Sequence, residues 1–352
     1  MSILFEKSRE QFNKQMPFVA YCKPNSEKII ALFQKNDSLF ELNNADSGFA
    51  FVSFDNKKRY LIPEIESDIY FENVETSDFV FPNNKQFPID LVAKTSHEKL
   101  VHKAVLEIEK GSFQKVVLSR IETIAVLDFD IETVFSKLIY HYPTAFKYVF
   151  FHPKVGLWMG ATPEQFLKIN KNKIETVSLA GTILNTDSEI VIWTNKEVNE
   201  QQIVTDFIVD SLKKYAKEVF VSKPYNYKAG SLIHIKTDIK ATFENQSYLE
   251  QIIKSMHPTP AVCGFPKEAA KSFIVENEGY DREFYAGFLG EWNKDFLTFK
   301  ENYSDLFVNL RCMKIENKQA KLYVGGGINK GSNPEKEYLE TVNKSQTMKK
   351  VL

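Results

Sequence analysis

Apolar residues recur at helical spacing in three stretches of the chain and at strand spacing in most of the others. Over Ser96–Lys110, Leu100, Ala104 and Ile108 share a helix face, and Gly111 supplies a stop. Asn195–Tyr215 has the same period. A third helix is predicted after Ser332-Asn333-Pro334-Glu335, which reads as a capping box with Ser332 at the cap, Pro in the first turn and Glu three residues on. Strand-like segments are Lys115–Ile121, Lys147–Phe151, Gly156–Gly160, Phe166–Ile169, Thr176–Leu179, Leu232–Thr237, Leu297–Phe299, Phe307–Ile315 and Ala320–Val324. Residues 1–95 mix short apolar runs (Gly48–Phe54, Tyr60–Ile62, Phe79–Phe81) with polar turns and read as short strands and loops. Strands come in runs rather than alternating with helices, which predicts an α+β fold with largely antiparallel sheet.

Composition narrows the function classes. The chain has 352 residues and a formal net charge of −1, so no basic excess points to nucleic acid. The opening MSILFEKSREQF carries charges where a secretory signal needs an apolar core, and no apolar run approaches the ~18 residues of a membrane span. Cys22, Cys263 and Cys312 are odd in number and far apart, which suggests neither a disulfide framework nor a zinc site. These features fit a cytoplasmic, soluble globular protein with no membrane span and no transition metal.

Two segments carry candidate chemistry. Tyr323–Lys344, YVGGGINKGSNPEKEYLETVNK, looks at first like a phosphate loop, but the Walker spacing fails because Gly331 is followed directly by Ser332. A glycine turn offering backbone N–H groups to some other anion remains. In the helix that follows, Glu337, Glu340 and Lys344 share a face, leaving Tyr338, Leu339 and Val342 to pack. In the helix over Asn195–Tyr215, Ile203, Phe207, Ile208 and Leu212 form the apolar face, and Glu197 and Glu200 project on that side. Carboxylates there need a cation. Two inward glutamate pairs suit Mg²⁺, and they suit salt bridges to Lys or Arg equally well.

The sequence resembles the chorismate-utilising enzymes and, within them, the isochorismate synthases. FQKVVLSR (113–120), GLWMGATPEQFL (156–167), SLAGT (178–182), KEVNEQQIV (196–204), MHPTPAVCGFPKEAA (256–270), EGYDREFYAGFLGEW (278–292), LRCMKI (310–315) and VGGGINKGSNPEKEYLETVNKSQTM (324–348) match in the family's order. The resemblance implies two large antiparallel sheets packed as a sandwich with surrounding helices in a single structural domain. The divergent residues 1–95 would complete the fold around a catalytic region over 96–352. It implies Lys115 as general base and Glu164 as general acid. Glu200 and Glu340 would bind Mg²⁺ directly, with Glu197 and Glu337 acting through water. Arg311, Gly325, Gly327 and Lys344 would hold substrate carboxylate, and Thr182 would reach the substrate region. Ala261 and Val262, stiffened by Pro258 and Pro260, would form a wall against the ring, with Tyr285 and Leu310 lining the site.

A general-base Lys must lose its proton near neutrality and a general-acid Glu must keep one, so the resemblance also implies opposed environments for the pair. Lys115 favours water over ammonia as nucleophile, so no glutaminase subunit is expected and the chain is expected to act as a monomer. Isochorismate feeds menaquinone, catechol siderophores or salicylate in such enzymes. Tyr285 and Leu310 are compatible with a salicylate synthase, which goes on to eliminate pyruvate. A non-catalytic chorismate binder is the further alternative, against which Lys115, Glu164 and the glutamates are all in place. One departure stands out: Gln201 follows Glu200 where many relatives have His.

Overall fold

The computed structural model describes residues 2–74, 90–184, 191–229, 232–245 and 248–352; the predicted Phe79–Phe81 run lies outside them, as does the side chain of Thr182. Two antiparallel sheets dominate. The first runs Gly264–Phe265, Lys115–Ala125, Gln319–Ile328, Cys312–Glu316, Gly156–Thr162, Phe146–His152, Phe18–Cys22, Lys28–Gln34 and Ser67–Asn73. The second runs Ala216–Val221, Leu232–Phe243, Lys173–Leu184, Gln165–Asn170, Tyr303–Val308, Phe288–Trp292, Gly48–Val52, Arg59–Pro63 and Phe40–Glu41, with Tyr225–Ala229 also on Leu232–Phe243. The first 74 residues thus supply strands to both sheets.

Around the sheets lie α1 (Ile3–Asn13), α2 (Leu91–Glu109), α3 (Ile131–His141), α4 (Asn195–Lys213), α5 (Leu249–Met256), α6 (Lys267–Asn277) and α7 (Pro334–Lys349). The sheets meet face to face through aromatic side chains: Phe51 of the second stacks on Phe150 of the first at 4.2 Å between ring centroids, and on Phe284 at 4.2 Å. A second core packs Leu4 and Phe5 of α1 and Phe135 and Leu138 of α3 against Phe18, Val149 and Met159 on the other face of the first sheet.

Two strands of each sheet are one chain continued. Gly156–Thr162 lies in the first sheet and, after Pro163-Glu164, Gln165–Asn170 lies in the second. Tyr303–Val308 lies in the second and, after Asn309-Leu310-Arg311, Cys312–Glu316 lies in the first. The predicted single strand Phe307–Ile315 is therefore two, because the local pattern of residues does not reveal a change of sheet. Arg311 makes the bend with φ +47°, a left-handed conformation uncommon outside glycine. Buried Asn309 completes it, donating to Phe284 O at 2.9 Å and accepting from the Tyr148 hydroxyl at 2.7 Å.

Other expectations change too. Leu297–Phe299 is a turn rather than a strand, since the Asp295 carboxylate accepts from Leu297 N and Thr298 N, and Phe299 has φ +56°. Residues 3–13 are helical, started by the Ser2 hydroxyl accepting from Phe5 N. The helix expected at Ser96 begins at Leu91, where the Asp90 cap accepts from Val92 N and Ala93 N. Asn333, not Ser332, caps α7 by accepting from Lys336 N, while the Ser332 hydroxyl accepts from Asn329 N. Leu339 faces solvent, and Tyr338, Thr341 and Ser345 take the buried positions.

The edge carrying Lys115 is fixed by a buried ion pair. Glu278 and Arg282, with side chains 1% and 2% exposed, pair at 2.5 Å. Arg282 also donates to Val262 O at 3.0 Å and to Val117 O at 2.6 Å, and Glu278 accepts from Ser119 N at 2.7 Å. Gly264 lets the chain come this close: with φ +138°, a Cβ there would lie 2.2 Å from Lys115 O. Arg282→Met would leave Glu278 buried without its cation, and a loss of about 3–5 kcal/mol is expected. Chemical denaturation checks this; a loss below about 1 kcal/mol would mean the pair is not held as described.

Candidate active site

The site forms along the Gly325-Gly326-Gly327 segment of the strand Gln319–Ile328. Its neighbour Cys312–Glu316 pairs only as far as Tyr323, so one edge of the glycine segment is open. On the other side Ser119 and Val117 oppose Gly325 and Gly327. The amides of Ser119 and Val117 donate elsewhere, to Glu278 and to Cys263 O. These are therefore the non-hydrogen-bonded positions of the ladder, and the N–H groups of Gly325 and Gly327 point to the open edge. Lys344 confirms the direction by donating to Gly325 O at 2.9 Å. Glycine is needed here for space: a Cβ on Gly325 would lie 2.7 Å from the Tyr285 hydroxyl, and one on Gly327 would lie 3.1 Å from Lys115 Cε.

Lys115 begins the neighbouring strand, and its ammonium lies 2.6 Å from Glu200 of α4. Glu164 and Arg311 stand at the two crossings between sheets, side by side. The Thr162 hydroxyl donates to Val308 O at 2.5 Å, Val308 N donates to Glu164 O, and Ala161 N donates to Arg311 O. Burial pushes the Glu164 carboxyl up to about 7, against the opposing pull of the Lys115 and Lys344 ammonium groups. Burial holds the Arg311 guanidinium below its usual value, with Tyr285 and Glu340 acting the other way. Arg311 also donates to the Thr347 hydroxyl of α7 at 3.2 Å. Lys115, Glu164, Arg311, Glu340, Lys344 and the glycines are thus brought together from five separate parts of the chain.

The four glutamates differ in their surroundings. Glu340 accepts from Lys344 at 2.6 Å, and a Cβ on Gly326 would lie 3.7 Å from Glu340 Oε1 and 3.6 Å from Glu337 Oε2. Glu197 accepts from Thr194 N at 3.0 Å in the first turn of α4. The inner face of α4 is Gln201, Val204, Thr205, Ile208 and Leu212, shifted from the predicted stripe, so Glu197 and Glu200 lie at its margin. Among the described residues, no three His, Cys, Asp or Glu side chains gather closely enough to hold a metal as they stand. The donor set nevertheless fits a hard cation: Glu340 lies against Gly326 and Glu200 against Lys115, whose stem lies beside Gly327, and each carboxylate is neutralised by a lysine. Mg²⁺ commonly takes one or two protein carboxylates.

The remaining candidates fall on the rim. Tyr285 is buried with its ring stacked on Tyr323 at 5.6 Å. Leu310 is half-buried. Val262 is buried, while Ala261 opens onto a cavity that Glu164 also lines. His257 and His234 serve as structural groups, on Ser53 O and Gly181 O. Gln201, buried on the inner face of α4, donates to the hydroxyls of Thr237 at 2.7 Å and Thr205 at 2.9 Å. Sequence reading missed Glu278 and Arg282, whose i,i+4 spacing looks like a solvated surface pair, and Thr259, a bland residue between two prolines.

Comparison with known proteins shows the family. Residues 51–352 match the family described as Chorismate binding enzyme. The chain is 29% identical to the isochorismate synthase EntC of Escherichia coli over 267 residues, 72% of this chain but 66% of that protein, just under two thirds of its length. It is 30% identical to the isochorismate synthase MenF of Bacillus subtilis over 290 residues, 77% of this chain and 60% of that protein. The structure of MenF from E. coli superposes with a TM-score of 0.78 at 20% identity, covering 96% of this chain and 88% of that one. A putative 2,3-dihydroxybenzoate-specific isochorismate synthase from Bacillus anthracis gives 0.75 at 22% identity, covering 98% of both chains. At these identities the structural likeness shows the two-sheet fold; the family match, over most of the chain, shows that it belongs to the chorismate-binding enzymes.

Proposed function

We propose that the protein is a Mg²⁺-dependent isochorismate synthase, adding water at C2 of chorismate with loss of the C4 hydroxyl. The observation that supports it most is one site holding a lysine and a carboxyl that burial pushes up to about 7, so that the carboxyl carries a proton near neutrality. In its neutral amine form, Lys115 takes the proton of the attacking water. The two ring double bonds each move one place, and Glu164 gives its proton to the departing hydroxyl. Arg311, with its planar fork, and the amides of Gly325 and Gly327 bind substrate carboxylate and set the ring between base and acid. Mg²⁺ held by Glu200 and Glu340, with Glu197 and Glu337 acting through water, would neutralise the ring carboxylate.

A second reading, a salicylate synthase, draws support from the buried Tyr285 hydroxyl against Gly325. Incubation with chorismate and Mg²⁺ separates the two. Isochorismate without pyruvate is expected, salicylate with matching pyruvate would promote the second reading, and neither product would leave only a binding protein.

Lys115→Ala is expected to lower kcat by roughly 10²–10⁴-fold with the fold intact; undiminished isochorismate formation would remove the assigned base. Glu200→Gln and Glu340→Gln are expected to raise the Mg²⁺ concentration needed for half-maximal rate, and unchanged titration curves would dismiss these ligands. Protonated Glu164 is required, so kcat/KM is expected to fall as pH rises through about 7. The folded carboxyl also holds its proton more tightly than the unfolded one, so its contribution to stability declines as pH rises between 4.5 and about 7. A profile flat through that range, with Glu164→Gln still active, would rule out its role.

A further inference from the structure

Glu164 also borders a cavity of about 170 Å³ that touches none of Lys115, Glu200, Arg311, Glu340 or Lys344. Val177, Ala261 and Thr259 wall it, and Tyr227, 41% exposed, joins it to solvent beside Lys236. Thr259 is 8% exposed, and its hydroxyl has no hydrogen-bond partner among the described residues. A buried hydroxyl without a partner is costly. A cavity this size, with a carboxyl, a hydroxyl and an ammonium in its wall, holds water rather than staying empty.

We propose that this cavity is a hydrated chamber on the acid side of the active site, which receives the water formed when the substrate's hydroxyl departs. The proposal rests on the isochorismate synthase reading. In that reaction one water enters at C2, giving a proton to Lys115, and one water forms at C4, taking a proton from Glu164 as the C–O bond breaks. The second water is released beside Glu164, on the other side of the ring system from the attacking one. Leaving through the chamber, it need not pass the bound product, and the Thr259 hydroxyl gives it a partner on the way.

Oxygen-18 water reads this directly. At low conversion, label enters C2 of isochorismate in the forward step. It enters C4 of recovered chorismate when the step reverses after the departed water has exchanged with solvent. Wild-type enzyme is expected to label recovered chorismate. Val177→Phe, which narrows the chamber and leaves every assigned catalytic side chain in place, is expected to lower that label several-fold relative to isochorismate formed. Thr259→Val, close in volume, is expected to move it the same way by less, and serves if the larger residue prevents folding. A crystal structure of the wild-type protein is expected to show water on the Thr259 hydroxyl. Unlabelled chorismate from the wild type, an unchanged ratio in the variants, or a dry Thr259 would each overturn the chamber. Absence of isochorismate would instead overturn the reaction assignment and the chamber's role with it, so the two failures are distinct.

Discussion

The site depends on one constraint: two neighbouring chains leave one sheet for the other at the same place, and the backbone groups freed there must find partners. Buried N–H and C=O groups are costly when unpaired, and ladder bonds end where a strand departs. Here the two crossings satisfy each other. The Thr162 hydroxyl meets Val308 O, Val308 N meets Glu164 O and Ala161 N meets Arg311 O. Glu164 and Arg311 therefore cannot move independently. A carboxyl near neutrality and a guanidinium for a carboxylate are fixed to one another by main chain, which is stiffer than any pair of side chains.

Around that seam the electrostatics are arranged in opposition. Desolvation favours the neutral carboxyl of Glu164, while two ammonium groups pull the other way, and the balance leaves it close to neutral pH. Those ammonium groups also neutralise Glu200 and Glu340. Each charge in the site thus has a counter-charge within reach, which is what makes so many ionisable groups tolerable in a half-buried space. The glycine segment adds no charge. It lends open backbone amides and room for Lys115 and Tyr285 to approach.

Behind the chemistry lies a buried scaffold. The Glu278–Arg282 pair joins the Lys115 strand to the turn before Gly264, and the stacked Phe51, Phe150 and Phe284 hold the sheets together. The Mg²⁺ ligands that we propose come from the helices α4 and α7, and α7 is tied to this frame by Lys344 on Gly325 O and Arg311 on Thr347.

Periodicity determined the antiparallel α+β class, the helices α2, α4 and α7 and most central strands, because those segments bury one face along their whole length. The ordered motifs marked Lys115, Glu164, Arg311, the glycines and the four glutamates, though by resemblance; residue spacing alone left each Glu open between metal ligand and salt bridge. What pattern could not reach was decided by packing. The run Phe307–Ile315 keeps strand-forming residues on both sides of Asn309 and Arg311, and only the second sheet shows that it bends at Arg311. Glu278 and Arg282 look solvated until the strand carrying Val117 lies over them. Leu339 looks like a packing residue until α7 turns Tyr338 and Thr341 inward instead. Sequence records the hydrophobicity of each position, whereas burial depends on what arrives from elsewhere in the chain, and here the site is built from five such arrivals.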